Sequence, residues 1–185
     1  MRISYRIDAE DRLVAFGESW EDFARANEAP ELCKEDVLQR PLWSFVSGQD
    51  TVHLYQLMLE KVRADQKILC VPFRSDAPDL RRFLTVTLRP RQNDQVDFIC
   101  EIQRCEIRNP IAILDTKQAR GPEFITMCSF CKNVACEDVW FKLEDAIASM
   151  HLFERDKPPR ISHGACPTCF SIVMDQLDSN PRSLC

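Results

Sequence analysis

The amino-acid sequence predicts an α+β protein: an antiparallel sheet with helices on one face, followed by a small helical module. Strand-like alternation opens the chain and returns twice before residue 104, behind an apolar strand-like run at 67–73 and with helical periodicity in between. Behind that region, two Cys-x-x-Cys pairs, Cys128 with Cys131 and Cys166 with Cys169, stand on either side of a short helical segment. Paired thiols at this spacing are the pattern of a four-thiolate metal site.

The elements follow in order. Ile3, Tyr5 and Ile7 alternate with Ser4 and Arg6, which predicts a half-buried strand over residues 3–7. Residues 8–12 are a polar turn, and Leu13, Val14, Ala15 and Phe16 form a second strand, so a hairpin opens the chain. Ser19 is placed to cap a helix whose apolar stripe is Trp20, Phe23 and Ala24, and Asn27 to Pro30 ends it. Residues 38–46 are a compact apolar segment with Pro41 at a helix N1 position. Asp50 or Thr51 starts a longer helix with Val52, Tyr55, Leu59 and Val62 on its apolar face, ending over residues 63–65. Three strands then read at residues 67–73, 82–88 and 95–103, separated by Ser-Asp-Ala-Pro-Asp and Arg-Gln-Asn-Asp turns. Residues 108–124 carry Asn109-Pro110 and Gly121-Pro122 and read as a linker, with Ile111 to Leu114 as an optional short strand.

The first 107 residues resemble the PAS sensory fold, in which a hairpin, short helices, one longer helix and a three-strand meander follow one another. Tyr5-Arg6-Ile7-Asp8 before a turn, Trp20-x-x-Phe23-Ala24, and Arg40-Pro41-Leu42-Trp43 carry the resemblance. It implies a small-molecule or partner-binding sensory domain over residues 1–107.

Residues 125–178 form the cysteine module, with 179–185 as a tail. A zinc ion takes four soft ligands in a tetrahedron at about 2.3 Å, and each Cys-x-x-Cys turn places two sulfurs on one edge of it. Pro167 presets the second turn. A unit of this size with few large apolar residues folds poorly on its core alone, so a structural metal would supply folding free energy. Val139, Leu143, Ile147 and Met150, with Trp140 and Ala146, read as one helical stripe. Phe170, Val173 and Leu177 read as a second, and the two helices are expected to pack together over the site. Pro158-Pro159 places residues 156–160 in a loop. The run Cys128, Cys131-Lys132, Trp140, Leu143-Glu144 and Ser162-His163-Gly164-Ala165-Cys166-Pro167-Thr168-Cys169 resembles a short cysteine-rich module at the C-terminal end of bacterial sensory proteins. That resemblance implies a signalling context rather than a reaction.

Three readings of the cysteines stand side by side: structural zinc, a dithiol redox pair, or free thiols. Cys-Pro-Thr-Cys ahead of a helix favours redox chemistry through a lowered thiol pKa, but no thioredoxin-like βαβ pattern surrounds it. His163 is an alternative ligand or a residue that orients the site. His53 is a solvated residue or a haem ligand, and His151 falls at a helix end. Cys70 and Cys100 are small strand hydrophobes, and Cys33, Cys105 and Cys185 have no assignment. Trp20, Trp43 and Trp140 are core anchors, with ligand stacking an option for Trp43.

Composition limits the function classes. The ten cysteines come without an export signal, and the chain carries a net charge of −5. Between residues 120 and 185, seven Lys and Arg face nine Asp and Glu, the wrong balance for phosphate binding by the module. No apolar run reaches the ~20 residues of a membrane span. The expectation is a cytoplasmic, non-enzymatic sensory or adaptor protein with a protein partner or homodimer, no nucleic acid and no membrane. A thiol-based redox or metal sensor is the alternative. No catalytic triad, Walker loop or dinucleotide fingerprint appears.

Overall fold

A computed structural model describes residues 1–27, 29–150 and 157–178 of the chain. His151, Cys185, Asp156 at the start of the expected loop, and the 179–185 tail lie outside the described residues.

The opening hairpin is β1 (Arg2–Ile7) and β2 (Leu13–Phe16). Asp8 builds the turn: its Oδ1 accepts the Glu10 and Arg12 amides, and Asp11 takes a left-handed φ of 60°. Helix α1 (Trp20–Ala26) follows, then α2 (Lys34–Val37), a 3₁₀ turn at Leu42–Ser44, and α3 (Gln49–Asp65). Strands β3 (Leu69–Arg74), β4 (Leu80–Pro90) and β5 (Val96–Ile107) complete a five-stranded antiparallel sheet in the order β2-β1-β5-β4-β3. The mixed α+β class and the antiparallel sheet are therefore as the periodicities predict.

Local details differ. Ser19 makes no side-chain cap bond to α1. Pro41 is the extended residue before the 3₁₀ turn and bridges to Arg12, because the backbone there is held against the hairpin rather than free to start a helix. Helix α3 begins at Gln49 behind Gly48.

The core forms where the alternating strands meet α3. Ile7, Val71, Val86, Leu88, Val96 and Phe98 face Leu54, Met58, Leu59 and Val62, and all are essentially buried. Tyr5 stacks on Phe98 with ring centroids 4.7 Å apart, which continues the aromatic layer to the sheet's first strand. Trp20 packs against this core and donates to the Leu32 carbonyl at 2.6 Å.

The C-terminal region is not a purely helical module. Strands β6 (Phe124–Cys128), β7 (Val134–Cys136), β8 (Val139–Phe141) and β9 (Arg160–Gly164) form a second sheet in the order β8-β7-β6-β9, with β6 and β9 parallel. Helix α4 (Leu143–Ser149) lies before β9, and α5 (Pro167–Asp178) after it. Val139 is in β8 and exposed, so the expected 139/143/147/150 stripe is broken at Lys142, the residue before α4. Leu143, Ala146 and Ile147 bury against Ile125, Met127 and Val134 in a second small core. Ile111 and Ile113, from the expected linker, are buried there as well, around a 3₁₀ turn at Ala112–Leu114 rather than a strand. Arg160, expected in a loop, opens β9.

Helix α5 does not pair with α4. Its buried positions are Cys169, Val173 and Leu177, which join the first core beside α3 and β3, while Phe170 is exposed. One apolar core thus runs from the five-stranded sheet through Cys128, Phe130, Cys166 and Cys169 into α5.

Candidate metal centre

The two cysteine pairs sit on different local structures. Cys128 ends β6 and its amide donates to the Asn133 carbonyl at 2.7 Å, while the Lys132 amide closes the turn by donating to the Cys128 carbonyl at 3.0 Å. The turn requires a left-handed residue, and Lys132 supplies it at φ 66°. The Lys132 ammonium reaches back to the Ser129 carbonyl at 2.8 Å and lies over the Phe73 ring. Cys166 precedes α5, where Pro167 occupies the first helical position. Its sulfur accepts the Cys169 amide at 3.4 Å, so the thiol acts as the helix cap.

The parallel pairing of β6 and β9 brings the turns together, since Cys128 is in register with Gly164 and Ala165-Cys166 follow directly. The sulfurs of Cys128, Cys131, Cys166 and Cys169 all lie within 4.8 Å of one another, with Cys131 and Cys166 at 3.6 Å. Four ligands at about 2.3 Å from a common centre stand about 3.8 Å apart in a tetrahedron, so these sulfurs fit a bound metal ion. The Cys166 amide also donates to the Cys128 sulfur at 3.4 Å, as expected where a backbone N–H stabilises a thiolate.

Electrostatics single out Cys128. Thiol hydrogen bonds from Cys131 and Cys169, with hydrogen bonds from the Cys166 and Cys131 amides, hold its pKa far below the ordinary thiol range. The same sharing, with Cys128 as the charged partner, pushes Cys131 up to about 12 and Cys169 higher still. Four thiolates cannot ionise side by side without a cation between them, and a metal ion supplies that charge.

His163 is not part of this cluster: it lies in β9, half-buried, with its pKa lowered by burial and then by the nearby Lys132 charge. His53 is exposed on α3. Cys70 is buried in β3 beside the Thr87 hydroxyl, and burial pushes the Cys100 thiol up to about 11. Cys33 and Cys136 are half-buried, and Cys105 is exposed. Trp43 donates to Asp11 at 3.1 Å, and its ring lines an open cleft of about 540 Å³ between α3 and the hairpin turn, together with Glu60, Arg63 and Asp94.

Residues with no local motif hold the cluster to the first sheet. Arg74, at the end of β3, donates through its amide to the Phe130 carbonyl at 2.7 Å and through its guanidinium to the Cys131 carbonyl at 3.2 Å. The Thr51 and Ser129 hydroxyls meet at 2.7 Å in a buried contact. Gly48, at φ +90°, lies against the His163 backbone, and a Cβ there would run into that carbonyl. Beside them, fully buried Asp76 accepts from Arg74 at 2.6 Å and Arg108 at 3.1 Å, and Arg108 and Arg81 both reach Glu144 of α4. The Arg74–Cys131 and Thr51–Ser129 contacts join residues 57 and 78 positions apart, so no spacing rule exposes them.

Among the described residues, no helix is long and apolar enough to cross a membrane. Compared with known proteins, the chain matches no protein-family model and no curated protein.

Proposed function

We propose that this chain is a non-enzymatic sensory or adaptor protein of bacterial signal transduction, with a PAS-like N-terminal domain and a zinc-clamped C-terminal region acting in the cytoplasm. The observation that carries the reading is the position of the four thiols. Cys128, Cys166 and Cys169 lie inside the apolar core shared with the sheet and α3, with Phe130 and Val173, and half-buried Cys131 packs against it. Cys128 and Cys166 are almost completely buried, which suits a structural ion with all four ligands from the protein and no open position for substrate. Zinc is the ion of choice for four thiolates in a tetrahedron. The clamp then fixes the face on which a protein partner or a second copy docks, while the PAS-like half takes a small ligand or a partner.

Elemental analysis of the purified chain tests this reading. One zinc per chain is expected, and Cys166→Ser should lose it together with C-terminal order. A metal-free wild type that is equally stable overturns it.

A thiol-based redox or metal sensor is the second reading, favoured by the 3.6 Å approach of Cys131 to Cys166 across the two pairs. Mild peroxide would then form a disulfide, with two thiols oxidised, peroxide reduced to water, and the metal released. Thiol counting and metal release before and after peroxide separate the two: resistant thiols and retained metal sink the sensor.

A further inference from the structure

The face of the five-stranded sheet turned away from α3 carries a cluster of arginines. Ile3 and Ile7 point into the core, so Arg2, Ser4 and Arg6 of β1 point outward. Pairing sets Arg6, Asp97 and Arg89 in one row across β1, β5 and β4. Asp97 is the carboxylate in that row, and both its oxygens are taken. Arg6 Nε donates to Oδ1 at 2.5 Å and Arg91 Nε to Oδ2 at 2.6 Å. Arg89, directly opposite Asp97, is left out. Its Nε is buried, exposes less than 1 Å² and has no hydrogen-bond partner among the described residues. A buried donor without an acceptor is costly, the more so on a charged group.

A cavity of about 240 Å³ opens at this point. Arg2, Arg6, Arg89 and Arg91 line it against the single carboxylate of Asp97, in a chain whose net charge is −5. Arg2 has Glu101 at 3.8 Å, a loose pair on the exposed rim. The Ser4 hydroxyl and Gly17 complete the wall, and a Cβ on Gly17 would fall 2.5 Å from Ser4 Oγ, so glycine keeps that side of the cavity open.

We propose that this cavity is a binding site for a small phosphate-bearing anion, with Arg89 as its central donor and Arg2, Arg6 and Arg91 around it. A guanidinium presents a planar fork that matches phosphate oxygens in pairs, and a dianion balances the surplus of cations over Asp97. The cavity's volume suits inorganic phosphate or a short phosphate monoester. It lies across the sheet from α3 and owes nothing to the metal centre, so the two readings stand or fall separately.

Isothermal titration calorimetry of the full chain, with inorganic phosphate and with glycerol 3-phosphate at matched ionic strength in chloride, tests the site. The wild type should bind at least one probe saturably with a Kd below about 1 mM. Tighter binding of glycerol 3-phosphate would identify an ester as the ligand. Arg89→Met should weaken binding at least about tenfold. Arg91→Gln, at a more exposed position, should weaken it by a smaller factor with the fold intact. Asp97→Asn, which frees Arg6 and Arg91, should tighten it. Arg12→Met removes a charge in the hairpin turn, at a residue that does not line the cavity, and should leave binding unchanged. No saturable heat with either probe in the wild type overturns the proposal. So does binding by Arg89→Met equal to wild type, or a loss in Arg12→Met as large as that in Arg89→Met.

Discussion

The five-stranded sheet and the four-stranded cysteine sheet both bury one face of a small sheet, but with different material. The first uses long strands of 11 and 12 residues in β4 and β5, and an aliphatic face closed by a 17-residue helix. Area removed from water is its main source of stability. The second has two strands of three residues each and an eight-residue buried cluster, too little to hold a fold of that size alone. In our proposal its remaining stability comes from an ion held by the four thiols, and from a band of charge at the seam. The contrast shows where the weak region is anchored. Cys128, Cys166 and Cys169 are set in the strong region's core with Cys131 against it, and the ion pairs of Asp76, Arg108, Arg81 and Glu144 lie along the same seam.

Cutting the seam at its charge band should have the largest effect. Asp76→Ala leaves Arg74 and the buried Arg108 without their shared carboxylate and should cost about 3 kcal/mol, read by urea denaturation. If the seam couples the regions, the variant should unfold in two transitions where the wild type shows one. A backbone break comes next. Gly48→Ala forces a side chain against the His163 carbonyl at a left-handed φ and should cost about 2 kcal/mol, with a fall in thermal midpoint as the readout. Thr51→Val removes one partner of the buried hydroxyl pair and should cost about 1 kcal/mol, visible as a shift in urea midpoint at constant slope.

The smallest effect is a pH dependence. Burial opposes ionisation of Glu144, but its helix-start amide bond and Arg81 outweigh it and hold the carboxyl below its usual range. A carboxyl whose folded pKa is depressed stabilises the fold above its unfolded pKa, about 4.3, and that contribution is lost as pH falls through the folded value. Glu144→Gln should therefore narrow the stability difference from wild type as pH drops from 6 to 3. A difference that stays constant over this range would remove Glu144 from the seam.

Legibility in the sequence followed the same division. The strands of the first sheet were readable because one face of each is buried, so Leu84, Val86 and Leu88 alternate with polar neighbours over a long run. In the cysteine region, β7 and β8 are too short to show a period, and exposed Val139 falls four residues before Leu143 by coincidence, mimicking a helical stripe. Phe170 has the hydrophobicity of a core residue but points outward, because Cys169, Val173 and Leu177 occupy the inner face of α5. The four thiols were legible because their chemistry fixes their spacing. Their setting was not, because Thr51 meets Ser129, and Arg74 meets Phe130, through pairings distant in the chain and without chemical signature.

In our proposal a metal held by Cys128, Cys131, Cys166 and Cys169 ties the cysteine region into the core of the first sheet. Amide hydrogen exchange on the full chain, before and after removal of the metal by a chelator, tests it most directly. One bound metal is expected, and its loss should strip protection from β6, β9 and the start of α5 and also raise exchange in β3 and the first turns of α3. Exchange that changes only beyond residue 124, or protection in all these elements that is indifferent to the chelator, would contradict it.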